Sequence, residues 1–377
     1  MPGPSRVLGI MSGTSLDGVD CVLTLIDAEG RPSWVRNWAR RFPTGLKRRL
    51  LACASGESRS WECGQLHHDL GRFYARVAVD GLGGESVAAV GLHGQTVFHQ
   101  GSGRAPATWQ IGEPAYLAEA LRVPVVSNFR AADLAAGGEG APLATLFHVR
   151  VFAERGRHVC VQNLGGIGNV TSIDWREGAR PTVRSFDTGP GNMLIDGAVR
   201  RLSEGHLGYD RGGRWAAAGG VHEALVRRWL RHPFFRRPPP KSTGREQFGS
   251  AYLDRCWRAM DAAGLGRDDR VACLLELTAR SVVLNYRLHL PSRPDRVMVA
   301  GGGALNPVLM SRLEASLKVG SPGIEILEGA TLGWPLEAVE GGAFALLAWE
   351  RLQGRPGNLP ETTGARRAVQ CGQVTEP

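Results

Sequence analysis

Short apolar runs, each closed by glycine or small polar residues, set the pattern of this chain. Residues 7–11 predict a strand, 12–15 a tight turn, 20–26 a second strand, 28–30 a turn and 34–39 a third strand, which together make an antiparallel meander. The same outline returns later, with strands predicted at 158–163, 169–175 and 182–186 and a glycine turn at 165–168 between the first two. Each copy then runs through helical sequence to a short buried strand ending in glycine, at 87–91 in the first and 296–301 in the second. Within the second copy, Leu274, Leu275, Leu277, Val282 and Leu284 recur at helical spacing and mark a core-facing helix over 271–290.

A repeated unit of meander, helix and strand predicts two similar α/β lobes facing each other across a cleft, where ligands of such folds commonly sit. A general α/β rhythm would give a looser likeness, but here each tight glycine turn falls in the same place, between the first two strands. The expected division is a first lobe of residues 1–130 plus 345–377 and a second lobe of 131–344 carrying inserted helical and loop segments. One insertion, 232–244, is too rich in proline for a helix, and its adjacent Phe234 and Phe235 predict an ordered loop rather than a linker.

Composition narrows the chemistry. The net charge is +9, yet Lys47, Lys241 and Lys318 are the only lysines among 45 basic residues, which leaves 42 arginines. A P-loop needs a lysine behind a glycine-rich loop, and Lys241 follows three prolines instead. No basic stripe with interleaved aromatics suggests a nucleic-acid partner, and no apolar run is long enough for a membrane span. The seven cysteines are scattered without a C-x-x-C pair, which argues against a disulfide framework or a zinc knuckle and fits a reducing, cytoplasmic setting. The amino terminus shows no apolar signal core.

Four turns carry candidate chemistry. The first, Gly13, Thr14, Ser15, Leu16, Asp17, Gly18, Val19 and Asp20, offers hydroxyl and amide donors for phosphate oxygens and two carboxylates that could hold a metal or orient water. Gly165 and Gly166 supply a second donor-rich turn at the equivalent place. Gly301 and Gly302, with Asn306 ahead of a helix starting near Pro307, form either an ordinary strand-to-helix connection or a flat wall for an adenine ring or ribose. Asp187 stands at the end of a strand before Thr188-Gly189-Pro190, placed to act as a general base or to close an Asx turn. His93, Gln95 and Thr96 end the first lobe's closing strand, where they could offer donors to a polar ligand, although a lone histidine there also suits a satisfied core. Arg130, ahead of Gly137, Gly138 and Gly140, could grip a carboxylate with both arms of its fork. The histidines lack metal-ligand spacing, so no metal ligand is assigned.

At these residues the chain resembles the anhydro-N-acetylmuramic acid kinases. The run Met11-Ser12-Gly13-Thr14-Ser15-Leu16-Asp17-Gly18-Val19-Asp20 is similar to the signature of that family. Further blocks follow in family order around His93, Trp109, Arg130, Gly165, Asp187, Lys241, Gly302 and Asn358. The resemblance implies two duplicated RNase H-like lobes of the actin-like ATPase type around a central ATP cleft. It implies ATP, with magnesium as its charge-neutralising partner, and a homodimer. The implied reaction opens 1,6-anhydro-N-acetylmuramic acid with water and phosphorylates it to N-acetylmuramic acid 6-phosphate, in peptidoglycan recycling. Asp187 would deprotonate the water, the turn from Gly13 to Asp20 would hold the phosphates, and Glu340 would reach the sugar. Two departures stand out: Met11 replaces the aspartate of the wider superfamily, and the family's Pro-Asp-x-Val-Glu-Ala run ends here in Glu340-Gly341. Two other readings are a kinase for a different sugar and a chaperone-like ATPase module, the latter requiring a peptide-binding segment that the sequence does not suggest.

Overall fold

A computed structural model of the chain describes residues 3–13, 16–101, 103, 105–328 and 333–377. They form two compact units, Met1–Val151 with Leu332–Pro377, and Phe152–Thr331.

In the first unit, β1 (Ser5–Ser12), β2 (Gly18–Ile26) and β3 (Pro32–Arg41) make the predicted antiparallel meander. β4 (Ala89–Gln100) pairs parallel to β1 and carries β5 (Ala107–Ile111) as a hairpin partner. β6 (Val125–Ser127) continues the parallel run beyond β4. The second unit repeats this order. β7 (His158–Leu164), β8 (Ile167–Asp174) and β9 (Thr182–Pro190) form the meander. β10 (Arg296–Ala300) lies parallel to β7, and β11 (Glu325–Glu328) parallel to β10. The spatial orders β3-β2-β1-β4-β6 and β9-β8-β7-β10-β11 are the same, which makes the duplication a fact of topology. β12 (Gln373–Thr375) is an addition to the first sheet, antiparallel to β6.

The first unit runs further along the chain than the expected lobe. A boundary at 344/345 would cut the helix Val339–Leu352, which is buried along nearly its whole length. Glycines let that helix lie directly on the strands: a Cβ on Gly9 would sit 1.8 Å from the Gly341 carbonyl oxygen, and one on Gly91 would sit 2.1 Å from that of Phe344. The same contact explains the departure at Gly341, where an alanine methyl would meet Val22 at 2.3 Å. Residues 131–151 also belong to this unit, since Arg150 donates to the buried Glu350 at 2.9 Å and Phe147 packs edge-on against Trp334.

Asp133 ties the rest of the unit down. Fully buried, it accepts hydrogen bonds from the Gly140 amide (2.8 Å), the Asn358 side-chain amide (2.6 Å) and the Thr363 hydroxyl (2.7 Å). Two of the motif blocks, around Arg130 and around Asn358, therefore owe part of their character to one buried carboxylate.

In the second unit, the predicted helix over 271–290 runs Arg267–His289 and packs against β9. The proline-rich insertion is ordered as expected: Phe235 is completely buried, and its ring would meet a Cβ on Gly189 at 2.6 Å. All seven cysteines are unpaired and buried. Among the described residues, no helix is long and apolar enough to cross a membrane.

Candidate active site

The turn after β1 is held from several sides. Ser12 shares a buried hydrogen bond with the Tyr74 hydroxyl (2.9 Å), and the Gln95 side-chain amide donates to the Gly13 carbonyl (3.1 Å). Leu16 adopts a left-handed backbone with φ of 57° and donates its amide to Gly13, which closes the turn at the cost of an unfavourable conformation for a branched residue. Thr14 and Ser15 lie outside the described residues. Leu16 and Val19 bury their side chains in the core, so only their backbones can serve a ligand. Gly18 answers to the sheet: a Cβ there would approach the Arg40 carbonyl to 2.5 Å. Asp17 is exposed and pairs with Lys47 at 2.6 Å.

Beyond the turn lies a buried charge relay. Arg130 donates one terminal nitrogen to the Gly140 carbonyl (2.8 Å) and the other to His93 Nε2 (2.9 Å). Since His93 Nε2 accepts, its proton sits on Nδ1, which donates to the Gly94 carbonyl (2.8 Å). Burial, then the Arg130 charge, hold His93 well below the usual imidazole range, so it is neutral. His93 therefore corrects the expectation of a free donor: both ring nitrogens are spent within the protein, and its work is to hold Arg130. Arg130 likewise has one N–H of each terminal nitrogen engaged within the protein, which fixes the orientation of its fork. Its buried Nε has no partner among the described residues. Gln95, through the turn, and Thr96, accepting from the Gln110 side chain at 3.3 Å, support the same end of β4. Glu340 keeps solvent-exposed surface, yet protein crowds its carboxyl: that crowding and the neighbouring Asp20 raise it, while Arg130 draws it down. Asp20 is raised by burial and by Glu337. Like charges thus gather at Asp20, Glu337 and Glu340, with one arginine to offset them.

In the second unit, the turn at Gly165 and Gly166 accepts amides from the start of the helix Met193–Leu202: Asn192 and Met193 donate to Gly165 and Gly166 at 2.8 and 3.1 Å. The glycines here separate into two kinds. Gly301 has φ of 82°, and a Cβ on it would meet Asn163 at 2.3 Å; one on Gly303 would meet Leu164 at 2.6 Å. The fold itself demands these two. A Cβ on Gly165, Gly166 or Gly302 would meet nothing closer than 3.6 Å, and none of the three has a positive φ. These three form bare backbone that the fold does not need, as a closely approaching ligand would require. Gly302→Ala should therefore raise the KM for nucleotide by about tenfold and leave the melting temperature unchanged. Gly301→Ala should instead cost about 2–3 kcal/mol of stability. Steady-state kinetics and thermal melting of the two variants separate the roles. Asn306 caps the helix Pro307–Lys318: its side-chain oxygen accepts from Val308 and Leu309 at 3.1 and 3.2 Å.

Asp187 lies within β9, where a bulge opposite Gly168 and Asn169 leaves Thr188 unpaired and turns the strand. The half-buried Asp187 carboxylate accepts the Thr243 amide at 2.8 Å, and its own amide donates to the Lys241 carbonyl at 3.1 Å. The bulge is satisfied by side chains: Asn285 donates to the Thr188 carbonyl (2.8 Å) and Gln162 to the Thr188 hydroxyl (3.2 Å). A carboxylate fixed on one oxygen by a backbone amide has the orientation that a general base requires. The link of Thr243 to Asp187 and that of Asn285 to the neighbouring Thr188 join residues distant along the chain and carry no local sequence signal.

A duplicated meander with a glycine-rich turn after each first strand is the architecture of the chain, and the proteins it matches along its whole length are sugar kinases. The family model for anhydro-N-acetylmuramic acid kinase matches residues 5–377. The anhydro-N-acetylmuramic acid kinase of Picosynechococcus sp. is 40% identical, over 99% of this chain and all of its own length. That of Gloeobacter violaceus is 43% identical over 98% of each. A glucokinase of the ROK family from Streptomyces griseus, solved with glucose and AMPPNP, aligns at 17% identity over 92% of this chain and 99% of its own, with a TM-score of 0.39. The chain belongs to the anhydro-N-acetylmuramic acid kinase family.

Proposed function

We propose that this kinase opens 1,6-anhydro-N-acetylmuramic acid with water and phosphorylates it with ATP, giving N-acetylmuramic acid 6-phosphate and ADP in the recycling of cell-wall sugars. Family membership names the substrate, and the observation that supports the chemistry is the setting of Asp187. Its carboxylate takes a proton from water as the water oxygen bonds to the anomeric carbon. The bond from that carbon to the bridging oxygen breaks, and the released oxygen takes the γ-phosphoryl group as the bond to ADP breaks. In the first unit the turn from Gly13 to Asp20 would bind phosphate; in the second, the bare backbone of Gly165, Gly166 and Gly302 is suited to a closely approaching nucleotide. Glu340 is the carboxylate suited to a sugar hydroxyl, and Arg130, held by His93 and Gly140, partly offsets the burial and the Asp20 charge that raise it.

Magnesium, when bound, would neutralise charge on the transferring phosphate, and it needs only one or two protein carboxylates beside phosphate and water. Among the described residues no group of three metal-ligating side chains is preassembled, which suits an ion carried mainly by the nucleotide. Asp20, crowded by Glu337 and Glu340, is the carboxylate that a cation would relieve. We further propose a cytoplasmic homodimer, in keeping with seven unpaired cysteines, with sedimentation as the check.

Incubating the purified chain with ATP and a panel of anhydro and reducing amino sugars tests the assignment. A phosphorylated product is expected from the anhydro-muramic sugar, and only when ATP is present. Phosphorylation of a reducing sugar with the anhydro sugar untouched would favour a kinase for a different substrate.

A further inference from the structure

Lys241 is buried, with 3% of its surface exposed, and none of the salt bridges among the described residues includes it. Its ammonium donates to the Phe234 carbonyl (3.2 Å), the Phe235 carbonyl (3.3 Å) and the Asn285 side-chain oxygen (2.6 Å), so three N–H groups meet three neutral acceptors. The Phe234 ring centroid lies 4.8 Å away and that of Phe186 lies 5.7 Å away. The backbone on either side of this anchor is the backbone that holds Asp187: the Lys241 carbonyl receives the Asp187 amide, and the Thr243 amide bonds the Asp187 carboxylate. Asn285 completes the clamp by donating to the carbonyls of Thr188 and Ser281.

Burying an ammonium without a counter-ion is costly, and a neutral donor could tether a loop at less expense. The chain also uses arginine for 42 of its 45 cationic side chains, yet keeps lysine here. A planar guanidinium cannot direct its donors to three acceptors around a single point, whereas an ammonium can. Resting on the reading of Asp187 as the base, we propose that Lys241 is the positioning residue for it: its ammonium locks the 241–243 segment onto Asp187 and fixes the direction in which that carboxylate points.

The electrostatics agree with this geometry. Burial first, and then the Arg237 charge, pull the Lys241 ammonium down to about 8, while Asp187 draws it back up. The other titratable groups around it are His289, which shares the Phe235 carbonyl at 2.9 Å, and His232, whose ring packs on that of Phe235. Burial lowers both histidines, so they are neutral where Lys241 titrates. Because the charged form is the active one, kcat should fall as pH rises through about 8.

The test uses the full chain with Lys241→Met, Asn285→Ala and Asp187→Asn in parallel, each measured for kcat, KM for ATP and pH profile. Folded Lys241→Met should lose about a hundredfold in kcat with KM for ATP unchanged. The acid limb of its profile should move up by about one pH unit, a shift that loosened packing alone would not cause. Asn285→Ala keeps the charge and should lose about tenfold in kcat with the acid limb in place, which holds the inference testable if Lys241→Met does not fold. Wild-type kcat and an unmoved acid limb in folded Lys241→Met, or wild-type kcat in Asn285→Ala, would overturn it. Full activity of Asp187→Asn would instead overturn the base itself, which separates the two failures.

Discussion

Asp187→Asn is expected to lose about 10²–10⁴-fold in kcat while nucleotide affinity is unchanged. The amide is isosteric and can still accept the Thr243 N–H that orients the carboxylate, bonded at 2.8 Å in the wild type. What it lacks is the capacity to take a proton from water. The backbone proposed to meet the nucleotide in the same unit, at Gly165, Gly166 and Gly302, is not altered by the substitution. Rapid-mixing kinetics and calorimetric titration with a non-hydrolysable nucleotide measure the two terms separately. A variant that turned over at the wild-type rate would remove Asp187 from the chemistry.

The largest effect on stability is expected at Asp133. Its carboxylate accepts from the Gly140 amide, Asn358 and Thr363 while fully buried, so Asp133→Ala leaves three donors without their acceptor. Removing one side of a buried charged network typically costs about 3–5 kcal/mol, and chemical denaturation should show a loss of that order. The damage should also reach the site, because the Gly140 carbonyl that Asp133 helps place is one of the two anchors of Arg130. A loss below about 1 kcal/mol would mean that the network is far weaker than its geometry indicates.

Much of the fold was legible in the sequence because its signal is local. Period-two apolar runs and glycine turns give a meander, and the meander's recurrence gives the second unit. The capping role of Asn306 is legible in the sequence too, since an asparagine ahead of a proline that opens a helix is an N-cap signature. The roles of His93, Arg130 and Lys241 could not be, because each depends on a partner distant along the chain. His93 meets Arg130 across 37 positions, and Lys241 meets Asn285 across 44. Position at the strand end suggests a donor for substrate and residue type alone a satisfied core histidine; the tautomer fixed by Arg130 and Gly94 bears out the second. The one local hint to Lys241 was compositional, a lysine kept in a chain that has nearly abandoned them.

The charge surplus also takes a different meaning. Many arginines are spent in ion pairs, as with Arg296 on Glu325 and Arg280 on Glu223 and Glu276. The cations that bear on the proposed chemistry are one arginine, half-buried, and one lysine, buried, each beside a carboxylate.

The most direct measurement is a single turnover of the anhydro-muramic sugar with ATP in water enriched in oxygen-18, followed by mass spectrometry of the fragment holding the anomeric carbon. The account predicts one heavy oxygen at the anomeric position and none in the phosphoryl group. A 6-phosphate formed with unlabelled oxygen at that carbon, or heavy oxygen in the phosphoryl group, would contradict it.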